Sequence, residues 1–326
     1  MRTSSIRRSR ARVTASAALG MLLVGIASVP AHAEGIRAKQ WHLDAFSAEK
    51  IWQLSTGKGV TVAVIDTGVE KSNPDLQGQV LEGKDFAPEK PGDQFTDYDG
   101  HGTGMAGIIA GTGARDGGNG AFGLAPGAKI LPVRVPGLRD DDNGNMAESD
   151  EEFNRVIPQA IRYAADSGAQ VINLSLGAST GSQALTDAVK YALDKGSLVF
   201  ASVGNEGDKS NILEYPGATP GVVGVGAVDN KAMRIPMSNY GAQVDVVTPG
   251  KDIVHACGGG TGLCKSSGTS DATALASAAA ALLWSKHPDW TNNQVLKVML
   301  NTVAGPSGAR STAITSASAP FARSVP

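Results

Sequence analysis

The sequence has no excess of positive charge. Its 29 Lys and Arg stand against 31 Asp and Glu, a formal net charge of −2. That balance excludes recognition of nucleic acid or an anionic membrane through bulk charge. Aromatic residues are scarce, at 5 % of the chain, whereas glycine is abundant, with 41 residues. The combination suits tight turns and a sheet of small β-branched residues rather than a disordered chain. Internal repeats are absent, and no linker is long enough to divide the chain into several domains. The one long apolar stretch, "ASAALGMLLVGIASVP", is short and carries Ser and Gly inside it, which argues against a membrane anchor.

That stretch has the character of an export signal instead. Arg7, Arg8, Arg10 and Arg12 precede it as a basic region, and Ala31-His32-Ala33 follows as a small-x-small cleavage site. The residues after Arg7-Arg8 are polar, which favours the general export route over a twin-arginine one. Residues 1–33 are therefore expected to be a signal peptide, removed near Ala33, and the protein to be secreted. Loss of this segment leaves 24 basic against 31 acidic residues, so the mature chain is mildly acidic. Only two cysteines occur, Cys257 and Cys264, in "CGGGTGLC". In an exported protein a local disulfide pinning a loop is the expectation, since no companion pair exists to complete a metal site.

After residue 55, short apolar runs alternate with helical patterns. "GVTVAVID" (59–66), "KILPVRV" (129–135), "VINLSLG" (171–177), "LVFASVG" (198–204) and "GVVGVGAV" (221–228) predict strands buried on both faces. "FNRVIPQAIRYAADSG" and "SQALTDAVKYALDKG" predict helices closed by Gly, and "SDATALASAAAALLWSKHP" an Ala-rich one ending before Pro288. Thr291 and Gln294 stand in capping-box spacing at the head of "TNNQVLKVMLNT". This order predicts an α/β fold, a doubly wound and mainly parallel sheet with helices on both faces.

"VAVIDTGV" (62–69) places Asp66 at the end of a buried strand, where two chemistries compete. With Asp166-Ser167-Gly168 it suggests the two carboxylates of an aspartic protease, which must sit on equivalent loops to share one proton. Asp166, however, closes a predicted helix, so the two contexts are not equivalent. Three other segments claim Asp66 instead: "DGHGTGMAGIIAG" around His101, "FASVGNEG" around Asn205, and "SSGTSDATALASAAAALLW" around Ser270. Acyl transfer by serine needs a nucleophile, a base, a carboxylate that orients the base, and donors for the oxyanion. Ser270, His101, Asp66 and Asn205 provide one residue type for each role. Ser270 opens a helix, whose positive end favours an oxyanion. Singly, each residue reads equally well as a cap, a turn former or a loop histidine; their order and distinctive local sequences make the set specific.

From about residue 50 to 303 the chain resembles the subtilisin-like serine peptidases, the subtilases. The resemblance is carried by "VAVIDTGV", "GHGTGMAGIIAG", "VINLSLG", "SVGNEG" and "GTSDATALASA". It implies a catalytic domain over 56–303, in which Asp66 orients, His101 acts as base and then acid, Ser270 attacks and Asn205 stabilises the oxyanion. Loss of that asparagine in subtilisin itself costs about 100- to 1000-fold in turnover. It further implies protein or peptide substrates, with Ser175, Leu176 and Gly177 pairing an extended peptide through its backbone. Ala201, Ser202, Val203 and Gly204 would form one wall of the S1 pocket, with Glu206 beside it and Glu214 on its floor. Asp97 and Asp99 would lie near the S2 wall. These acids suggest a preference for Lys or Arg near the cleaved bond, against the alternative that they are solvated surface groups.

The chain also departs from the family pattern. Asp271 and Ala274 replace the usual Met and Pro after the serine, and Asp271 is expected to suit the helix dipole and to raise the basicity of His101 if close to it. Residues 34–55 read as an arm leading into the catalytic domain, too short for a folding-assisting propeptide. Residues 304–326 form an irregular tail lacking the expected Gly-rich ending. A shifted frame through "TAITSASAPFARSVP" yields "RDHLGFGAVRPLRA", which is similar to it, so a frameshift is expected. No cofactor is required for the chemistry. The resemblance leaves structural calcium open at "GARDGGNGAFG", while "LRDDDNGNMAESDEE" is out of register with an EF-hand and reads as a solvated acidic loop. A monomer is expected. Two rivals are a non-catalytic peptide-binding descendant and a nucleotide-binding domain using "GTGARDGG", which lacks a proper Gly-x-Gly-x-x-Gly turn. An unperturbed His101 would lose activity as pH falls through about 6–7.

Overall fold

The computed structural model describes residues 35–136, 146–259 and 262–302. The expected signal peptide, most of the acidic loop and the irregular tail lie outside them.

The expected arm is built into the body. After a 3-10 turn (Ile36–Lys39) come helices α1 (Trp41–Ala45) and α2 (Ala48–Trp52). Gln40 is fully buried. Its amide nitrogen donates to the carbonyls of Phe122 (2.7 Å) and Val254 (3.0 Å), and its oxygen accepts from the Phe122 amide (3.1 Å). A buried amide with its donors and acceptor satisfied ties the arm to the body.

Beyond the arm run β1 (Thr61–Asp66), β2 (Lys84–Asp85), α3 (His101–Ala110), β3 (Lys129–Arg134), α4 (Met146–Asp166), β4 (Val171–Leu174) and α5 (Gln183–Asp194). Then come β5 (Leu198–Ser202), β6 (Val223–Val228), β7 (Val246–Pro249), β8 (Ile253–Ala256), β9 (Leu263–Ser266), α6 (Thr269–Lys286) and α7 (Asn292–Thr302). Seven strands form one sheet in the order β2-β3-β1-β4-β5-β6-β7, and each pairing is parallel. β8 and β9 form a separate antiparallel hairpin.

The sheet divides two cores, as period-2 alternation requires. Val62 and Val64 of β1 pack with Met105 and Ile108 of α3 and Leu275 of α6. Ala63 and Ile65 face the other way, onto Phe153 and Ile157 of α4 and Leu185 of α5. The doubly wound α/β arrangement is therefore the fold, with helices on both faces. Asp66 follows in register with Val62 and Val64, so strand parity turns it toward the face that carries α3 and α6.

All five predicted strands are present; β3, β4 and β5 end earlier than their apolar runs, whereas β1 and β6 begin two residues later. At β4 and β5 the residues that leave the ladder, Ser175–Gly177 and Val203–Gly204, are ones assigned to substrate. β7 and the hairpin were not predicted, because four-residue strands bounded by Pro or Gly carry too little periodicity. α4 starts at Met146, seven residues before the predicted Phe153. Asp150, assigned to a solvated acidic loop, is instead buried and accepts from the Ser179 amide (3.1 Å) and the Thr180 hydroxyl (2.9 Å). The capping box of α7 forms in both directions: the Gln294 amide donates to Thr291 Oγ1 (3.3 Å), and the Thr291 amide to Gln294 Oε1 (2.9 Å).

Candidate active site

The carboxyl end of β1 meets the amino ends of α3 and α6. Asp66 is 1 % exposed, and its Oδ1 lies 2.8 Å from His101 Nδ1 and accepts from the Thr67 amide at 2.8 Å. Its Oδ2 is buried with no partner among the described residues. The contact makes Nδ1 the protonated nitrogen of a neutral His101, leaving Nε2 as the free base. Burial lowers the basicity of His101, but the charge and hydrogen bond of Asp66 overcome it, with help from Asp99 and Asp271. Together they raise its pKa to about 9.

The turn entering α3 is held by acids. Asp97 accepts from the amides of Gly100 (2.9 Å) and Thr103 (2.7 Å), and Asp99 from the His101 amide (2.8 Å). The Thr67 hydroxyl reaches Asp66 (3.2 Å), Asp97 (2.8 Å) and Asp99 (2.9 Å), although it has one proton to donate. Burial pushes the Asp97 carboxyl up, more than its hydrogen bonds lower it. These two acids, assigned to the S2 wall, spend their oxygens on positioning His101.

Ser270 is the second residue of α6. Its hydroxyl donates to the Ser175 carbonyl at 2.9 Å rather than to His101. Asn205, just past β5, accepts with Oδ1 from the Thr269 amide at 2.9 Å and from its hydroxyl at 3.2 Å. That fixes the amide orientation and leaves Nδ2 as the donor beside the Ser270 end of α6. Asp66 is thus paired with His101, and Asn205 with the residue before Ser270, past the carboxyl ends of the central strands.

Ser175, Leu176 and Gly177 continue past β4 into Ala178, which exchanges two 2.8 Å backbone bonds with Tyr215. Ala201 and Val203 are fully buried in separate cores, so neither presents surface to a ligand in this structure. Ser202 ends β5, and Gly204 follows with φ +104°, a left-handed conformation that favours glycine. Glu214 lies between the two segments. A side-chain carbon on Gly204 would collide with its Oε1, and one on Gly177 would stand 3.0 Å from its Oε2. Burial and the charge of Glu206 push the Glu214 carboxyl above the usual carboxylate range, against hydrogen bonds from the Asn205 backbone and Asn239. Glu206 itself turns to Lys209 at the rim, 3.3 Å away. Asn239 was missed from sequence: its Oδ1 takes the Glu206 amide (2.7 Å) and its Nδ2 donates to the Ile212 carbonyl (2.9 Å). "MSNYG" offers no signal for that role.

Asp166 ends α4, accepting from the Tyr191 hydroxyl (2.6 Å) and pairing with Lys195 (3.0 Å). It belongs to a surface far from the equivalence an acid dyad needs. At the "GARDGGNGAFG" loop the residues do not fit calcium. The fully buried Asp75 accepts from the Arg115 amide (2.9 Å), Arg115 Nε (3.2 Å) and the Ala121 amide (3.3 Å). A guanidinium and two amides stand where a cation would need oxygen ligands. Among the described residues no group of three or more His, Cys, Asp or Glu is placed to hold a metal. The sulfurs of Cys257 and Cys264 lie 1.94 Å apart, at the loop end of the β8–β9 hairpin.

The sheet thus carries a buried Asp–His pair at the end of β1 and a serine at the start of α6. The profile of the subtilase family matches residues 57–321, and the chain belongs to that family. It is 42 % identical over 241 residues to the thermophilic serine proteinase of Bacillus sp. (strain AK1), covering 72 % of this chain and 55 % of that one. Subtilisin NAT of Bacillus subtilis subsp. natto is 37 % identical over 270 residues, covering 82 % of this chain and 64 % of that one. The chain thus spans less than two thirds of these relatives. Among solved structures, the MycP3 protease from the type VII (ESX-3) secretion system superposes with a TM-score of 0.69 at 32 % identity, covering 82 % of both chains. Among the described residues no helix is long and apolar enough to cross a membrane.

Proposed function

We propose that the protein is a serine endopeptidase acting on protein or peptide substrates by way of an acyl-enzyme. Asp66 orients His101, His101 takes the Ser270 proton and returns it to the leaving amine, and Ser270 attacks the carbonyl. The Ser270 amide at the α6 amino end and Asn205 Nδ2 stabilise the oxyanion. The observation that carries this reading is the 2.8 Å contact between Asp66 Oδ1 and His101 Nδ1 at the carboxyl end of β1, with Ser270 at the start of α6. An extended peptide pairing with Ser175–Gly177 competes for the Ser175 carbonyl. The displaced Ser270 hydroxyl then rotates to His101 Nε2, so substrate binding itself completes the triad.

Glu214 between Gly177 and Gly204 supports a preference for Lys or Arg at P1, because a partly buried carboxylate on a pocket floor gains most from a cation. The basic, apolar and small-x-small pattern of residues 1–33 supports export and cleavage near Ala33. The Cys257–Cys264 geometry supports a disulfide in the mature protein, which acts as a monomer. The test is labelling of the purified protein by a serine-directed fluorophosphonate. Labelling lost in Ser270→Ala is expected; labelling that survives in that variant rejects Ser270, and none in the unsubstituted protein leaves only a peptide-binding cleft.

A further inference from the structure

The β8–β9 hairpin carries His255 into the ground between the two helices of the site. Its imidazole is 4 % exposed and lies against Gly104 of α3, where a side-chain carbon would stand 2.9 Å from His255 Cε1. The helix that begins with His101 therefore has a notch shaped to the second ring. His255 Nδ1 lies 2.8 Å from the Ala256 carbonyl, and Nε2 lies 2.8 Å from Ser266 Oγ on β9. Ser266 Oγ in turn donates to or accepts from Asp271 Oδ1. Asp271 is 2 % exposed and is the residue next to Ser270. An acid, a hydroxyl and an imidazole thus form a second buried chain, which the reaction outlined above does not use.

We propose that Asp271, Ser266 and His255 form a buried proton relay that switches a negative charge on and off beside Ser270, making Asp271 a positioning residue for His101. The inference rests on the roles proposed for Ser270 and His101. The Ala256 carbonyl can only accept, so Nδ1 keeps its proton in every state. Two arrangements then satisfy every remaining partner. In one, the Asp271 carboxyl donates to Ser266 Oγ and the Ser266 hydroxyl donates to Nε2, and all three groups are neutral. In the other, the Ser266 hydroxyl donates to the Asp271 carboxylate and a protonated Nε2 donates to Ser266 Oγ. Passing between them moves two protons by one hydrogen bond each, with no net gain or loss and no exchange with solvent.

Burial favours the neutral arrangement, raising the Asp271 carboxyl and lowering the His255 imidazole. A positive charge on His101 attracts a carboxylate at Asp271 and repels an imidazolium at His255, and the relay requires the attraction to be the larger. The relay would therefore respond when His101 accepts the Ser270 proton, placing a carboxylate near the new imidazolium and its compensating charge at the far end. The other titratable groups facing this region are His42 of α1, Asp66 of β1, Asp99 before α3 and Glu70 at the hairpin tip. His42 is fully buried, and neither ring nitrogen has a partner among the described residues; burial, then His255 and Arg37, lower its pKa to about 3, so it stays neutral. Glu70 contacts the Gly259 amide (3.4 Å), and Lys265 on β9 pairs outward with Asp252 (3.0 Å).

The experiment follows the His101 imidazole by 15N NMR titration in Ser270→Ala protein, alone and with Asp271→Asn, His255→Leu, Ser266→Ala or Ser266→Thr. Asp271→Asn is expected to lower the His101 midpoint by about 1 pH unit. His255→Leu and Ser266→Ala, neither of which alters the carboxyl, should lower it in the same direction, whereas Ser266→Thr restores the hydroxyl and the original midpoint. In protein retaining Ser270, the acidic limb of kcat/KM should move with it. If Asp271→Asn shifts the midpoint while His255→Leu and Ser266→Ala do not, the carboxylate acts alone and the relay is overturned. No shift in any variant overturns it as well. If His255→Leu does not fold, Ser266→Ala carries the same expectation with a smaller change. Failure of fluorophosphonate labelling, by contrast, would reject the proposed protease while leaving the titrations readable.

Discussion

Ser175 and Ser270 exchange hydrogen bonds: the Ser270 hydroxyl donates to the Ser175 carbonyl at 2.9 Å, and the Ser175 hydroxyl to the Ser270 carbonyl at 3.0 Å. The pair joins the outrun of β4 to the first turn of α6 across 95 residues. Behind it, Asn173 Nδ2 donates to Ser175 Oγ (3.1 Å), and Ser277 Oγ to Asn173 Oδ1 (3.0 Å). The proposed nucleophile is thus anchored through its backbone to the strand that is proposed to hold substrate. Its hydroxyl stays free to leave that pairing.

Ser175→Ala should separate these roles. The Ser175 carbonyl survives, but Asn173 and the Ser270 carbonyl each lose a partner in a buried setting. Urea unfolding should show a loss of about 1–2 kcal/mol, with fluorophosphonate labelling retained. Complete loss of labelling in a folded variant would mean that the hydroxyl itself takes part in the reaction.

The pH dependence should lie on the alkaline side. A general base works when neutral, so kcat/KM falls as pH drops through the His101 titration. Burial lowers that titration, but Asp66, with Asp99 and Asp271, raises it to about 9. The acidic limb should therefore appear near there rather than at the 6–7 of a free imidazole. The stabilising effect has the opposite sense. A pKa raised on folding contributes fully below the unfolded value, about 6.5, and is lost as pH rises through about 9. Between those values activity should rise while the His101–Asp66 contribution to stability declines; a kcat/KM limb at or below 6.5 contradicts this.

Glu214→Gln should reduce kcat/KM for substrates with Lys or Arg at P1 by about 10- to 100-fold, the scale of a charge-assisted hydrogen bond. Apolar P1 residues should be little affected. Because the Glu214 carboxyl is held above the ordinary range by burial, the basic preference should weaken on acidification earlier than for a solvent-exposed glutamate. Cleavage of a peptide library by both proteins checks this, and an apolar preference unchanged by the substitution would sink the assignment.

Chelation should leave the fold intact at the "GARDGGNGAFG" loop, because Arg115 already occupies Asp75. Arg115→Met, which strands a fully buried carboxylate, should cost about 3 kcal/mol. Differential scanning calorimetry with and without EDTA decides between them. A Tm that falls on chelation in the unsubstituted protein, and recovers with calcium, would show that a metal contributes after all.

Much of the architecture was legible because its signals are local. The apolar runs ending at Asp66 and near Asn205 report strands buried on both faces, and the Thr291–Gln294 spacing reports a helix start. What escaped had no local signal. β7 and the hairpin are four residues long, and Asn239 frames Glu214 from a stretch without periodicity. Asp97 and Asp150 resemble solvated acids in sequence because hydrogen-bond partners such as Thr67, Thr103, Ser179 and Thr180 cannot be inferred from composition.

The residue types for acyl transfer, their order along the chain and the strand or helix end each occupies were set by the sequence alone. Strand parity put Asp66 on the face of Val62 and Val64, but only the structure showed that α3 and α6 cover that face. Only the tertiary structure decided the partners. It placed Ser270 on the Ser175 carbonyl, Glu214 between two glycines, Arg115 on Asp75, and His255 in the notch at Gly104. Each of those contacts joins segments far apart in the chain, and its energy depends on distance, burial and the competing donors around it, none of which a linear pattern encodes.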